Sequence, residues 1–278
     1  MAIVPEPSSG ETPTRSIDSP RVSGRSLKPR ATGQTEIRGP AYTPMALRHL
    51  ADEIEALSPY VDSLKLAGGP QSPMPRRQLV DLIALCHRYD VMVATDGLVG
   101  RMLLHGEGTV DGYLRGCQEV GFDIIELSSG CLTLPADDSV RLVKRVQQAG
   151  LKVRPVIGIQ FAAASTLPAI GQVQHFTRDA ESAIQQARRF LAAGADLIMI
   201  ESAGITEQVT SWRTEVPARI AGALGLERVM FEAAVPGVPA WYVEHHGPAV
   251  NLFVDHRQVV MLECLRAGLW GVADHWGE

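Results

Sequence analysis

The chain has 278 residues and a formal net charge of −5, with 26 Lys and Arg against 31 Asp and Glu. That mild acidity, without a basic stripe, excludes a broad nucleic-acid footprint and leaves small anions as partners wherever a local site is positive. No apolar run approaches the roughly 18 residues that a membrane span needs, so a cytoplasmic protein with no membrane partner is expected.

Residues 1–30 are rich in Pro, Ser, Gly and Arg and nearly free of large apolar side chains, which is the composition of a disordered arm. Glu6, Glu11 and Asp18 argue against a cleaved transit peptide, a class poor in acidic residues. From residue 31 to 278 the chain reads as one domain. A first strand is expected at 34–38 (QTEIR), followed by a helix carrying Leu47, Leu50, Ile54 and Leu57 at three- and four-residue spacing. A second strand at 61–67 (VDSLKLA) leads into a helix with Leu79, Leu82, Ile83 and Cys86 on one face. Further strands are expected at 91–96 (VMVATD), 122–128 (FDIIELS), 152–160 (KVRPVIGIQ), 196–201 (DLIMIE), 229–234 (VMFEAA) and 250–255 (VNLFVD). Their helices begin near Val110, Asp137, Asp179, Thr210, Ala240 and Gln258.

Short apolar runs without in/out alternation are what parallel strands buried on both faces look like. Gly121, Gly150, Gly194 and Gly225 stand just before four of them, where a left-handed residue can end a helix. Eight strand–helix units in about 240 residues match a closed (β/α)8 TIM barrel, with an open doubly wound sheet as the alternative. Cys86, Cys117, Cys131 and Cys264 are widely spaced and show no C-x-x-C pair, so free thiols are expected rather than a zinc site or disulfide framework.

In such a barrel the chemistry belongs at the C-terminal ends of the strands. The polar residues there are Lys65, Asp96, Glu126 with Ser128, Glu201, Glu232 and Asp255, and Asn251 lies inside the eighth run. Ionised groups among apolar neighbours must be paired, metal-bound or shifted in pKa. Three glutamates on strands four, six and seven converge on one rim, and hard oxygen donors suit Mg²⁺. One of them can then work as an acid or base. The alternative is that they bridge to Lys65, Arg38 or Arg154 as structural ion pairs. His256 and Arg257, in the loop after strand eight, could neutralise an anion where barrels often hold phosphate, or could be plain loop residues. Trp270 and Trp276 near the end would cover the barrel or permit a homo-oligomer contact.

Residues 120–128 (VGFDIIELS), 231–233 (FEA), 247–252 (GPAVNL), 262–269 (LECLRAGL) and 28–33 (KPRATG) resemble the phosphosulfolactate synthase family, in order and at matching intervals. The resemblance implies a barrel lyase that adds sulfite to the methylene carbon of phosphoenolpyruvate with Mg²⁺, on one route to coenzyme M. By matched position Lys65, Glu126, Ser128, Glu201, Glu232 and Asn251 keep the family's residue. On that basis Glu201 and Glu232 are expected near Mg²⁺, Lys65 and Glu126 in catalysis with Glu126 as the acid, and Arg30, Ser128 and Asn251 around the substrate; Arg38, His256 and Arg257 are expected there as cations at the same rim.

The chain also departs from that family's pattern. Ser129, Val156, Ile159, Gln160, Ala203 and Gly204 stand where charged residues are expected, and the first strand ends Arg38-Gly39-Pro40. Residues 35–43 (TEIRGPAYT), 64–69 (LKLAGG), 72–75 (SPMP) and 250–256 (VNLFVDH) are similar to the plant heat-stress-associated branch of the same family. That branch is linked to acquired thermotolerance and has no settled catalytic activity. It implies an alternative, a non-catalytic barrel acting as a binding or protective protein.

Overall fold

The computed structural model describes residues 26–39, 47–66, 74–128, 134–159, 176–177 and 179–269. Eight parallel strands close on themselves: β1 (Thr35–Arg38), β2 (Ser63–Leu66), β3 (Met92–Thr95), β4 (Ile124–Leu127), β5 (Lys152–Ile159), β6 (Ile198–Ile200), β7 (Val229–Glu232) and β8 (Asn251–Val254). Each pairs with the next, β8 pairs back onto β1, and a two-residue strand, Phe176–Thr177, lies beside the end of β5. This is a (β/α)8 TIM barrel, and every expected strand run contains one of its strands. Helices α1 (Leu47–Leu57), α2 (Arg76–Arg88), α3 (Val99–Leu103), α4 (Glu107–Val120), α5 (Ala136–Gln148), α6 (Ala180–Ala192), α7 (Glu215–Leu224), α8 (Val238–His246) and α9 (Val259–Arg266) surround it.

The helices pack one apolar face on the sheet. Leu142, Val143 and Val146 of α5 are buried, while Asp137 and Asp138 sit in its first turn, where a carboxylate favours the helix dipole. Each such aliphatic side chain contributes about 1.5–3 kcal/mol when fully buried. Around the outside, Asp111–Arg145, Asp137–Arg189 and Glu181–Arg219 join α4 to α5, α5 to α6 and α6 to α7. Exposed pairs of this kind add at most about 1 kcal/mol each.

Helix α7 starts five residues later than the expected Thr210. Pro217 lacks an N–H and is tolerated in the first turn of a helix, and a start at Thr210 would push it into the interior. Residues 203–207 instead form a tight turn with an Ala203–Glu207 bridge. Among the punctuating glycines, Gly121 has the expected left-handed conformation (φ 102°, ψ 18°). Gly225 has φ 86° and ψ 147°, also glycine territory but outside the left-handed helical region.

A repeated clip closes the N-terminal end of the barrel. Asp62 accepts from Thr35 N, Asp123 from Val93 N and Asp196 from Val153 N, at 2.7–2.9 Å. In each case the aspartate's own N–H returns a bond to the carbonyl of the residue it clips. The aspartates ahead of β2, β4 and β6 thus each satisfy a backbone donor at the start of the preceding odd-numbered strand.

Of the expected arm, residues 1–25 lie outside the described residues, as do Ser129, Gln160, Cys131, Trp270 and Trp276. Lys28 is fixed beneath the barrel, its ammonium donating to the carbonyls of Ser58, Val61 and Tyr89. Cys86, Cys117 and Cys264 are free thiols. No helix among the described residues is long and apolar enough to cross a membrane.

Candidate active site

The barrel interior divides into an apolar half and a charged half. Leu197, Met199, Met230 and Phe253, with Val156, fill the side built by β5 to β8. The charged half begins low in the barrel with Glu36, fully buried, which accepts from Ser63 Oγ and pairs with Arg154. Above it, at the C-terminal ends of the strands, sits a cluster of five ionisable groups. Lys65 Nζ lies 2.6 Å from Glu126 Oε2 with both side chains buried. Arg38 Nη2 donates to Glu232 Oε1 at 2.6 Å. Glu232 Oε2 accepts from the backbone N–H and hydroxyl of Ser202, at 3.2 and 3.1 Å. Glu201 completes the set from the end of β6.

Register explains the assembly. Arg38 is the lateral partner of Lys65 between β1 and β2, and Glu232 is the lateral partner of Phe253 between β7 and β8. The Phe253 ring therefore lies under both cations, 4.0 Å from Lys65 Nζ and 5.3 Å from the Arg38 guanidinium carbon. A partly desolvated cation over such a ring gains about 0.5–2 kcal/mol. Gly39 is required by this packing, because a Cβ there would fall 2.7 Å from the Lys65 carbonyl oxygen. Ser63, Ser202, Glu36 and Phe253 are site residues that pattern reasoning did not single out. Only Glu36, a charge inside a strand run, carried a visible signal.

The three glutamates differ in electrostatic character. Burial pushes Glu126 up to about 7 against the pull of Lys65, with Glu36 and Asp96 adding to the rise. Glu201 is pushed up to about 8, first by burial and then by the negative charges of Glu232 and Glu126. Glu232 also suffers from burial, but Lys65, Arg38 and the Ser202 N–H outweigh it and bring the group below its ordinary value. At neutral pH the site thus holds one firm carboxylate and two groups able to carry a proton.

Lys65, Glu126, Arg38, Glu201 and Glu232 come together. Ser128 stands at the same end, packed so closely on Gly97 that a Cβ there would lie 2.4 Å from the serine Cβ. Asp255, His256 and Arg257 follow β8: Arg257 Nε bonds Asp255 Oδ1 at 2.8 Å, and the buried His256 has Nδ1 3.4 Å from the same oxygen. Arg30 and Asn251 are placed at the opposite end of the barrel. Arg30 pairs with Asp62 at 2.9 Å. Asn251 accepts from Gln34 N and donates to the Leu226 and Val229 carbonyls, which ties β8 to its neighbours.

The donor set fits a hard divalent cation. Glu201 and Glu232 end adjacent strands and repel one another, and a cation between them would relieve that repulsion. No group of three or more His, Cys, Asp or Glu side chains among the described residues is placed to hold a metal. Two carboxylates match the manner of Mg²⁺, which keeps several positions for water and substrate oxygens.

Residues 23–272 match the family model described as (2R)-phospho-3-sulfolactate synthase (ComA). The chain is 34% identical to Protein HEAT-STRESS-ASSOCIATED 32 of Arabidopsis thaliana over 252 residues, covering 87% of this chain and 88% of that one. It is 24% identical to a phosphosulfolactate synthase of Methanothermobacter thermautotrophicus over 255 residues, covering 89% and 93%. Among solved structures, the carboxyl transferase domain of Rhizobium etli pyruvate carboxylase shares the fold at a TM-score of 0.58 and 12% identity, covering 81% of this chain and 40% of that one.

Proposed function

The chain belongs to the (2R)-phospho-3-sulfolactate synthase family, and from that premise we propose that it is a lyase-type enzyme adding sulfite, or a related nucleophile, to the methylene carbon of phosphoenolpyruvate. The observation that carries this reading is the cluster of Lys65, Arg38, Glu126, Glu201 and Glu232 at the end of the barrel where chemistry is done. Packing five ionisable groups together, with Lys65 and Glu126 buried, is costly, and a barrel without chemistry has no need of it.

Glu201 and Glu232 would hold Mg²⁺, and the ion would supply Lewis-acid stabilisation of the negative charge that develops on the substrate. Lys65, held over Phe253, would neutralise an anionic substrate group as it leaves Glu126. Arg38, His256 and Arg257 would hold phosphate oxygens, with Ser128 as a hydroxyl donor at the rim. In the reaction the nucleophile's electron pair forms a bond to the methylene carbon, and the double-bond electrons move toward the neighbouring carbon and its carboxylate. Glu126, raised to about 7, is protonated often enough at neutral pH to deliver the proton that carbon then takes up. A cytoplasmic setting and a small anionic substrate belong to the same proposal.

A second reading has its own support. The identity to the heat-stress-associated plant protein exceeds that to the methanogen synthase, and Val156, partly buried against the apolar half, and Ala203 bring no charge to the rim. Under that reading the barrel is a binding or protective protein with a vestigial site.

Phosphorus NMR separates the two. Purified protein with Mg²⁺, phosphoenolpyruvate and sulfite should lose the enol phosphate signal and gain that of a saturated phosphate ester. A spectrum unchanged with sulfite and with other nucleophiles would remove the lyase proposal and leave the second reading.

A further inference from the structure

A cavity of about 820 Å³ opens at the N-terminal end of the barrel, opposite the cluster just described. Lys152, Arg154 and Arg228 line it from β5 and from the approach to β7. Arg154 is the buried member, its side chain 5% exposed. One terminal nitrogen pairs with Glu36, and its Nε has no hydrogen-bond partner among the described residues. An N–H of a buried guanidinium carries a large desolvation cost until an acceptor reaches it.

The other two cations stand at the opening. Lys152 is exposed, and its ammonium contacts the Met92 sulfur at 3.2 Å, a weak acceptor. Arg228 is exposed at the end of the turn before β7. Asp196 and Glu227 share that wall, and Asp62, Asp90 and Asp123 also line the cavity. Asp196 accepts from Val153 N, and Glu227 packs over Gly225, its carboxylate 2.5 Å from where a Cβ on that glycine would stand. Asp62 and Asp123, on the far wall, serve as clips and pair with Arg30 and His87.

We propose that this N-terminal cavity is a second binding site, for a compact anion carrying a phosphate or carboxylate group held between Arg154, Lys152 and Arg228. The ligand's charged group faces the buried Arg154 guanidinium, and the two exposed cations close over it from the surface. Three cations lining a space of this size suit an anion with several oxygens better than a single water, whose share of liquid volume is about 30 Å³.

Isothermal titration of the full chain at constant ionic strength tests this, with inorganic phosphate, pyrophosphate and acetate as probes. Saturable binding is expected, weakened about tenfold or more in the surface double variant Lys152→Ala/Arg228→Ala and retained in Lys65→Met at the other end. Tighter binding of the phosphates or of acetate assigns the ligand's charged group. The absence of saturable binding, binding that the double variant leaves unchanged, or binding lost in Lys65→Met would overturn the proposal.

Discussion

Replacing Glu201 by glutamine should stabilise the protein, and by an amount that depends on pH. The folded protein holds the Glu201 proton up to about pH 8, whereas the unfolded chain releases it near the ordinary value of 4.5. Between those values the native state binds the extra proton, so stability falls as pH rises and the loss is complete above about 8. Each pH unit of displacement corresponds to about 1.4 kcal/mol, giving a ceiling of about 5 kcal/mol from the gap between 4.5 and about 8. Glu201 is partly open at the barrel mouth, and solvent screening there reduces the expected effect to about 1–3 kcal/mol. Urea denaturation of wild type and Glu201→Gln from pH 5 to 8.5 measures it. The two should be nearly equal at pH 5, with the variant pulling ahead as pH rises and the gap levelling off above pH 8. Parallel stability curves across that range would refute the electrostatic picture of the rim. A variant that loses stability relative to wild type as pH rises would refute it too.

Other expectations follow from the same geometry. Lys65→Met should destabilise the fold by about 3 kcal/mol by leaving Glu126 buried without its ion-pair partner, and Lys65→Met/Glu126→Leu should recover most of that loss in thermal denaturation. Asp123→Ala, which removes the acceptor of Val93 N and the partner of His87, should cost about 1–3 kcal/mol, and Asp123→Asn should cost less because its amide oxygen still accepts. Gly97→Ala should disturb the rim through Ser128, measured as weakened substrate binding in titration calorimetry, because its Cβ would collide with the serine side chain. If the proposed chemistry holds, the rate should fall as pH rises through about 7, where Glu126 gives up its proton, and Glu126→Gln should abolish that limb of the profile.

The barrel was legible because parallel strands covered on both sides must be short and apolar, and eight such runs leave few architectures. The convergence of Lys65, Glu126, Glu201 and Glu232 was readable for a related reason: a charge that closes an apolar strand points to the rim. Which charges pair was not readable. Arg38 and Glu232 are 194 positions apart, and their meeting depends on closure of the sheet and the stagger of its strands. Asn251 looked like a site residue because it is polar within an apolar run. Its place at the first position of β8, at the N-terminal end, was the signal that it serves the sheet's hydrogen bonding. Arg30 has no such marker, since a basic residue ahead of the first strand reads the same whether it meets a ligand or Asp62. The late start of α7 could have been foreseen from Pro217.

The most direct test of the central claim, that Glu201 and Glu232 hold Mg²⁺ beside an anionic substrate, is a calorimetric titration of Mg²⁺ in the presence of phosphoenolpyruvate, on wild type and on Glu201→Gln/Glu232→Gln. The wild type should bind the ion saturably, with affinity that rises when phosphoenolpyruvate is present, and the folded double variant should show no such binding. Equal Mg²⁺ binding by both proteins, or none by the wild type, would contradict it.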